Sequence, residues 1–228
     1  MNIQGFQKLT LLDYPEHMAC TVFTGGCNLR CPFCHNAVLV RTVTAPAIKE
    51  ETVFSYLEQR KGVLDGVCLT GGEPLLQADI LPFLQRIKDM GYLVKLDTNG
   101  ALPKRLAEVL NARAVDYVAM DVKSSPQGYA AATGGVGDVT PFEESMQRLR
   151  DSGVAYEFRT TAVKGLHTMD DFEAIARWLH PEDPYFIQQF VDSGELLGEG
   201  CTAFSPDEMK EILKTVQQHL PRATLRGV

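Results

Sequence analysis

The chain lacks any apolar run of about 20 residues, the length that a membrane-spanning helix needs, so a bilayer is not an expected partner. It lacks a basic excess: 22 Lys and Arg stand against 29 Asp and Glu, a formal charge of -7. Phosphate backbones are gripped by clustered Lys and Arg. The runs Lys104-Arg105 and Arg60-Lys61 are too short for that, so nucleic acid is not expected either. The opening Met-Asn-Ile-Gln-Gly-Phe has no charged segment followed by an apolar one, the pattern of a secretory signal. The chain therefore reads as cytoplasmic. No low-complexity stretch or linker divides its 228 residues, which read as one domain, 1–228, long enough for a sizeable core. Cysteine is sparse at six, and in a cytoplasmic chain it points to metal or redox chemistry more than to disulfides. Cys20, Cys68 and Cys201 are isolated and read as small buried hydrophobes.

What is present alternates. Short apolar runs rich in β-branched or aromatic residues predict strands at Cys20–Phe23, Gly66–Thr70, Leu93–Leu96, Tyr117–Asp121, Tyr156–Thr160 and Phe186–Phe190. Helical stripes fill the gaps: Ile80, Leu81, Leu84, Ile87; Leu102, Leu106, Val109, Leu110; Phe172, Ile175, Ala176, Leu179; and Met209, Ile212, Leu213, Val216, Leu220. Ser205, Pro206 and Glu208 form a helix-start signature, with a capping residue, a first-turn proline and a capping-box partner. Six strand–helix units imply parallel strands joined by right-handed crossovers. That is fewer than the eight of a closed barrel, so the expected fold is α/β, a partial (β/α)6 TIM-type barrel. The glycine-rich stretches Gly134–Gly137 and Gly194–Gly200 read as mobile surface loops.

The remaining three cysteines, Cys27, Cys31 and Cys34, fall in Thr24-Gly-Gly-Cys-Asn-Leu-Arg-Cys-Pro-Phe-Cys-His-Asn36, spaced C-x3-C-x2-C directly after a strand. Three thiolates this close can hold three irons of a cubane, and no fourth cysteine lies nearby. A fully ligated cluster carries electrons; one with an open iron can bind a substrate. Zinc is the alternative, but it prefers four ligands, and His35, the candidate fourth, is adjacent to Cys34. Working residues of parallel α/β folds gather where strands end, and each expected strand here runs into a polar motif. The second leads to Gly71-Gly72-Glu73-Pro74, where two glycines permit close backbone approach and Glu73 offers a carboxylate suited to an ammonium. The third leads to Asp97-Thr98-Asn99-Gly100. The fourth ends in Asp121-Val122-Lys123, whose charged side chains share a face and suit either an internal ion pair or a zwitterion. Arg159 can pair with Asp121 or reach a ligand carboxylate; the sixth strand carries Gln188 and Gln189.

The cysteine motif with Phe33 before its third member, followed by Gly-Gly-Glu-Pro, resembles the radical S-adenosylmethionine (radical SAM) superfamily. Cys34-His35-Asn36 and Asp121-Val122-Lys123 are similar to the glycyl-radical enzyme activases. Leu11-Leu12-Asp13-Tyr14-Pro15, the run Val22 to Cys31, and Tyr129 with Thr133-Gly134 are similar to the anaerobic ribonucleoside-triphosphate reductase activating proteins, except that Glu16 stands where glycine is expected. The resemblance implies one 4Fe–4S cluster on Cys27, Cys31 and Cys34, with S-adenosylmethionine (SAM) on its open iron. It further implies Gly71, Gly72 and Glu73 at the SAM amino group, Asp121 and Lys123 at the amino and carboxylate ends, and Phe33 against the adenine, with Asn99 and Arg159 as further contacts. The implied reaction is reductive SAM cleavage followed by hydrogen abstraction from a glycine of a partner enzyme. Cys68 alone falls between Cys34 and Gly71, which leaves a single cluster fed by a flavodoxin or ferredoxin. The competing readings are a radical SAM enzyme acting on a small molecule, similar to the deazapurine synthases, and a non-catalytic zinc or iron–sulfur module.

Overall fold

A computed structural model describes residues 1–40, 45–192 and 194–228. The strands in chain order are β1 (Ile3–Thr10), β2 (Ala19–Thr24), β3 (Gly66–Gly71), β4 (Leu93–Thr98), β5 (Tyr117–Asp121), β6 (Ala155–Ala162), β7 (Tyr185–Gln189) and β8 (Thr224–Arg226). The helices are α1 (Ala37–Val40), α2 (Glu50–Gln59), α3 (Ile80–Asp89), α4 (Pro103–Asn111), α5 (Tyr129–Thr133), α6 (Thr140–Ser152), α7 (Met169–Trp178) and α8 (Pro206–Gln217), with a 3-10 turn at Pro74–Leu76. The architecture is the expected α/β one: a mostly parallel, open sheet in the order β1 to β8. The six expected strands are β2 to β7, with no end shifted by more than two residues. β1 and β8 were not expected, and β1 runs antiparallel to β2. Its sequence mixes Gln, Gly and Lys with apolar residues because only Ile3 and Thr10 at its ends are buried.

The chain folds into two compact units: Met1–Asn28 with Val38–Ala119 and Pro141–Ala155, and Leu29–Ala37 with Met120–Thr140 and Tyr156–Val228. In the first, β2 pairs in parallel with β3 and β3 with β4. Parallel strands covered on both faces read as continuous apolar runs, and Cys20, Val22, Val67, Cys68, Leu69, Val94 and Leu96 are fully buried. Burial pushes the Cys20 thiol up to about 12, which makes it the inert hydrophobe expected. The outer edge of β1 is blunted. The Ile3 carbonyl accepts from Ala47 and Ile48, the Lys8 carbonyl from the Tyr56 hydroxyl, and the Leu9 carbonyl from Gln7, so little free edge is left for another strand.

In the second unit, β6 pairs with β7 and β7 with β8, all parallel. Arg226 on β8 lies 3.9 Å from the Phe186 ring centroid and makes a bidentate pair with the fully buried Glu157 of β6, at 2.7 and 2.9 Å. α7 and α8 each begin with a complete capping box, Thr168 with Asp171 and Ser205 with Glu208. Cys201 is half-buried in the loop before α8, unlike the fully buried Cys20 and Cys68.

The one departure from the activating-protein pattern has a backbone meaning. Glu16 has φ 65°, in the left-handed region where a side chain crowds the following carbonyl. A glycine there carries no such cost. Glu16→Gly is therefore expected to raise stability by about 0.5–1 kcal/mol, read as a higher urea midpoint with an unchanged m-value.

Candidate cofactor site

In the first unit, β2 delivers Gly25, Gly26, Cys27 and Asn28. The β3 exit lies directly on this segment: Gly72 N–H donates to Thr24 O (2.9 Å) and Glu73 N–H to Gly26 O (2.8 Å). A Cβ on Gly72 would sit 2.0 Å from Gly26 O, so residue 72 has to be glycine for the two loops to meet. Gln77 Nε2 adds a bond to Gly25 O (3.0 Å). Glu73 departs from expectation. Its side chain is fully buried, and its carboxylate accepts from Leu75 N–H (3.0 Å), the Thr98 hydroxyl (2.9 Å) and Asn99 N–H (2.7 Å). The carboxylate ties the β3 exit to the β4 exit, so the ammonium-binding role read for it from sequence is corrected to an internal one; its main chain, with Gly71 and Gly72, lines the loop. Asn99 turns toward the cysteine segment, its Nδ2 2.8 Å from Asn28 Oδ1 and 3.8 Å from Cys27 Sγ.

In the second unit, the stretch from Leu29 to Ala37 is held from two sides. Arg30 N–H donates to Thr133 O (2.9 Å), and Pro32 O accepts from Gly198 N–H (2.8 Å). Gly134 has φ 76°, and a Cβ there would lie 2.4 Å from Arg30 O. The two glycine-rich stretches read as free surface loops are thus clamps on the cysteine stretch; close backbone approach is the other use of glycine. Within the stretch, Cys34 N–H donates to Cys31 O (3.1 Å). Cys31 is buried and Cys34 half-buried, and both are outside disulfides. Phe33 is buried, with Lys123 Nζ 5.9 Å from its ring centroid. His35 stacks on Phe190 at 5.5 Å, and burial, then Lys123, pushes its imidazole down.

The charged residues at the end of β5 and within β6 meet. Asp121 Oδ2 lies 2.8 Å from Lys123 Nζ, and its Oδ1 2.6 Å from Arg159 Nε. Burial alone would push the Asp121 carboxyl up; Arg159 and then Lys123 override it and hold it well below the usual carboxylate range. Burial likewise works against charge on Lys123, but Asp121 and the Cys31 sulfur hold the ammonium above its ordinary value. One carboxylate between two cations leaves a net charge of +1, and each carboxylate oxygen keeps a lone pair for a further donor. The group can therefore receive a ligand carboxylate at Lys123 and an ammonium at Asp121. His167 and the Gly198 clamp were given no role by the sequence. The signal available for the second was the glycine density of 194–200.

Among the described residues, no three His, Cys, Asp or Glu side chains gather closely enough to hold one metal ion. A cubane does not require that, since each thiolate binds its own iron. The donor chemistry is that of such a cluster: Cys27 in the first unit and Cys31 and Cys34 in the second are all thiols outside disulfides, and each segment is pinned within its own unit by main-chain hydrogen bonds.

Asp121→Asn removes the anion between Lys123 and Arg159. It is expected to destabilise the metal-free protein by about 2 kcal/mol, measured by chemical denaturation. Because the native carboxyl is held low, this contribution is fully present above the ordinary carboxylate range and fades as pH falls through it toward the native value. The gap between wild type and variant should therefore be constant near neutrality and narrow in acid.

Comparison with known proteins gives the family. The family model described as the radical SAM superfamily matches residues 21–179. A Methanocaldococcus jannaschii protein, provisionally named a glycyl-radical enzyme activating enzyme, is 29% identical over 99% of this chain and 96% of its own length. The pyruvate formate-lyase-activating enzyme of Clostridium pasteurianum is 31% identical over 58% of this chain and 57% of its own. In fold, the crystal structure of Streptococcus suis SuiB bound to S-adenosylmethionine superposes with a TM-score of 0.69 at 15% identity, covering 89% of this chain and 48% of that one. No helix among the described residues is long and apolar enough to cross a membrane. The chain belongs to the radical SAM superfamily, enzymes that bind a 4Fe–4S cluster and S-adenosylmethionine.

Proposed function

We propose that this protein is a glycyl-radical enzyme activase whose partner is the anaerobic ribonucleoside-triphosphate reductase. On this reading Cys27, Cys31 and Cys34 ligate one 4Fe–4S cluster, which in its reduced state supplies the electron that cleaves SAM and so drives hydrogen abstraction from a glycine Cα of the partner. The main chain of Gly71, Gly72 and Glu73 receives the SAM amino group together with Asp121. Lys123 holds the SAM carboxylate, and Arg159 keeps Asp121 ionised and adds positive charge. Phe33 packs against the adenine, while Asn99 steadies Cys27 through Asn28. With Cys20 and Cys68 buried in strands, the electron comes from an external donor, a flavodoxin or ferredoxin.

The observation that carries the reading is the closeness of Phe33, between Cys31 and Cys34, to the Lys123 ammonium, 5.9 Å from ring centroid to Nζ. It brings the cluster motif beside a cation suited to an amino-acid carboxylate. The choice of a protein substrate rests on the M. jannaschii relative, whose alignment covers nearly all of both chains. The choice of reductase rests on the motifs around Tyr14, Cys27 and Thr133.

The test is anaerobic. Reconstituted protein, SAM, a reduced flavodoxin and candidate glycyl-radical enzymes are mixed, and a glycine-centred EPR doublet is expected with the reductase. Cys31→Ala should lose the cluster absorption and at least about 100-fold of 5′-deoxyadenosine release, an effect of more than roughly 2.7 kcal/mol on the barrier. Release of 5′-deoxyadenosine with no doublet on any candidate would move the protein to a small-molecule substrate. Zinc in place of iron and sulfide would remove the enzyme reading.

A further inference from the structure

His167, to which the sequence gives no role, is only 4% exposed and uses both ring nitrogens. Val163 N–H donates to its Nδ1 at 3.1 Å, and Nε2 lies 2.9 Å from the Lys123 carbonyl oxygen. A main-chain N–H only donates and a carbonyl only accepts. Nδ1 is therefore the bare nitrogen, and Nε2 carries the proton it donates to Lys123. The ring also meets Phe33 edge-on at 6.3 Å between centroids and Phe172 at 5.5 Å. It sits in a tight turn, with His167 N–H donating to Val163 O (2.9 Å), and this turn is bridged to the clamp loop by the reciprocal bonds between Lys164 and Thr202 (2.9 and 3.0 Å). One imidazole thus touches the main chain of Lys123, just past β5, and the aromatic residue of the cysteine stretch.

We infer that His167 is a positioning residue for SAM: it fixes the Lys123 main chain relative to Phe33, so that the ammonium and the ring face one ligand. The inference rests on the SAM-binding reading above, and it deepens that reading by assigning a residue that touches neither the cluster nor SAM. The Lys123 carbonyl follows Asp121-Val122, whose own main chain is held by Val122 N–H to Arg159 O (2.9 Å) and Val122 O to the Thr160 hydroxyl (2.7 Å). Without His167, the further main-chain tie of residue 123 among the described residues is a long 3.4 Å contact from its N–H to the Tyr129 hydroxyl. The Nε2–H donation is therefore the bond that sets where the Lys123 side chain starts, and the Phe33 contact sets how far away the ring lies.

Two amide variants separate the two bonds. His167→Gln places a donor near the Nε2 position, and His167→Asn places an acceptor near Nδ1; His167→Phe keeps an aromatic ring and removes both bonds. With iron content matched, equilibrium binding of SAM to the reconstituted proteins is expected to weaken about tenfold in the Asn and Phe variants, the effect of one lost buried hydrogen bond, and to recover in the Gln variant. Thermal midpoints of the metal-free proteins should fall similarly for Asn and Gln, because each loses one bond. The 15N spectrum of the metal-free wild type should show a protonated Nε2 and a bare Nδ1 on His167. Affinity in the Asn and Phe variants equal to wild type, affinity that tracks thermal stability across all the variants, or the opposite tautomer would overturn the inference while leaving the SAM reading intact. A wild type that carries its cluster but binds no SAM would overturn both. If the Phe variant does not fold, the Asn–Gln comparison decides alone.

Discussion

A carboxylate withdrawn from water must be surrounded by donors or cations, or it will not stay charged. Two carboxylates under that constraint hold the strand ends in this protein. Glu73 is fully buried and accepts from Leu75, Thr98 and Asn99, which fastens the β3 exit to the β4 exit. Asp121 lies between Arg159 and Lys123, which fastens the end of β5 to β6. The loops that carry Gly71, Gly72 and Asn99, and the segment that carries Asp121 and Lys123, leave from strand ends fixed in this way. Parallel strands bring their C-terminal ends to one side, and these two carboxylates, one fully buried and one partly so, turn that closeness into fixed positions.

The second recurring device is backbone contact through glycine. Gly72 against Gly26 in one unit, and Gly134 against Arg30 in the other, put main chain on main chain where a methyl group would not fit. Such contacts carry hydrogen bonds as well as packing: Glu73 N–H to Gly26 O, and Arg30 N–H to Thr133 O. The segments flanking the cysteines are therefore ordered by their own chain. A site whose geometry is set before its ligand arrives loses less entropy on binding, and holding reacting groups in place is what a protein adds to cofactor chemistry.

The strand pattern was legible because β2 to β7 are apolar, short and punctuated by turn residues, and every one of their ends lies within two residues of the place read from sequence. β1 and β8 were not legible. β1 spreads its polar residues over an edge closed by Tyr56, Ala47 and Ile48, contacts from distant parts of the chain. β8 has three residues, and its Arg226 reads as a surface cation until Glu157 is found beneath it. The pairing of Asp121 with Lys123 was legible from their spacing of two. The partner of Glu73 was not, since a carboxylate after two glycines reads equally well as a ligand group or as an internal anchor.

The sequence by itself determined the chemistry on offer: three thiols at cluster spacing, a glycine pair, an acid and a lysine two apart, and an alternation that implies an α/β fold built on parallel strands. These are local properties, set by residue type and separation along the chain. Tertiary structure alone decided which polar groups face inward. It spent the Glu73 carboxylate on the β4 loop, turned the glycine stretches into clamps, and chose the tautomer of His167 by the two partners it met. Each of those outcomes depends on groups far apart in sequence arriving within hydrogen-bond distance, and no spacing rule records that.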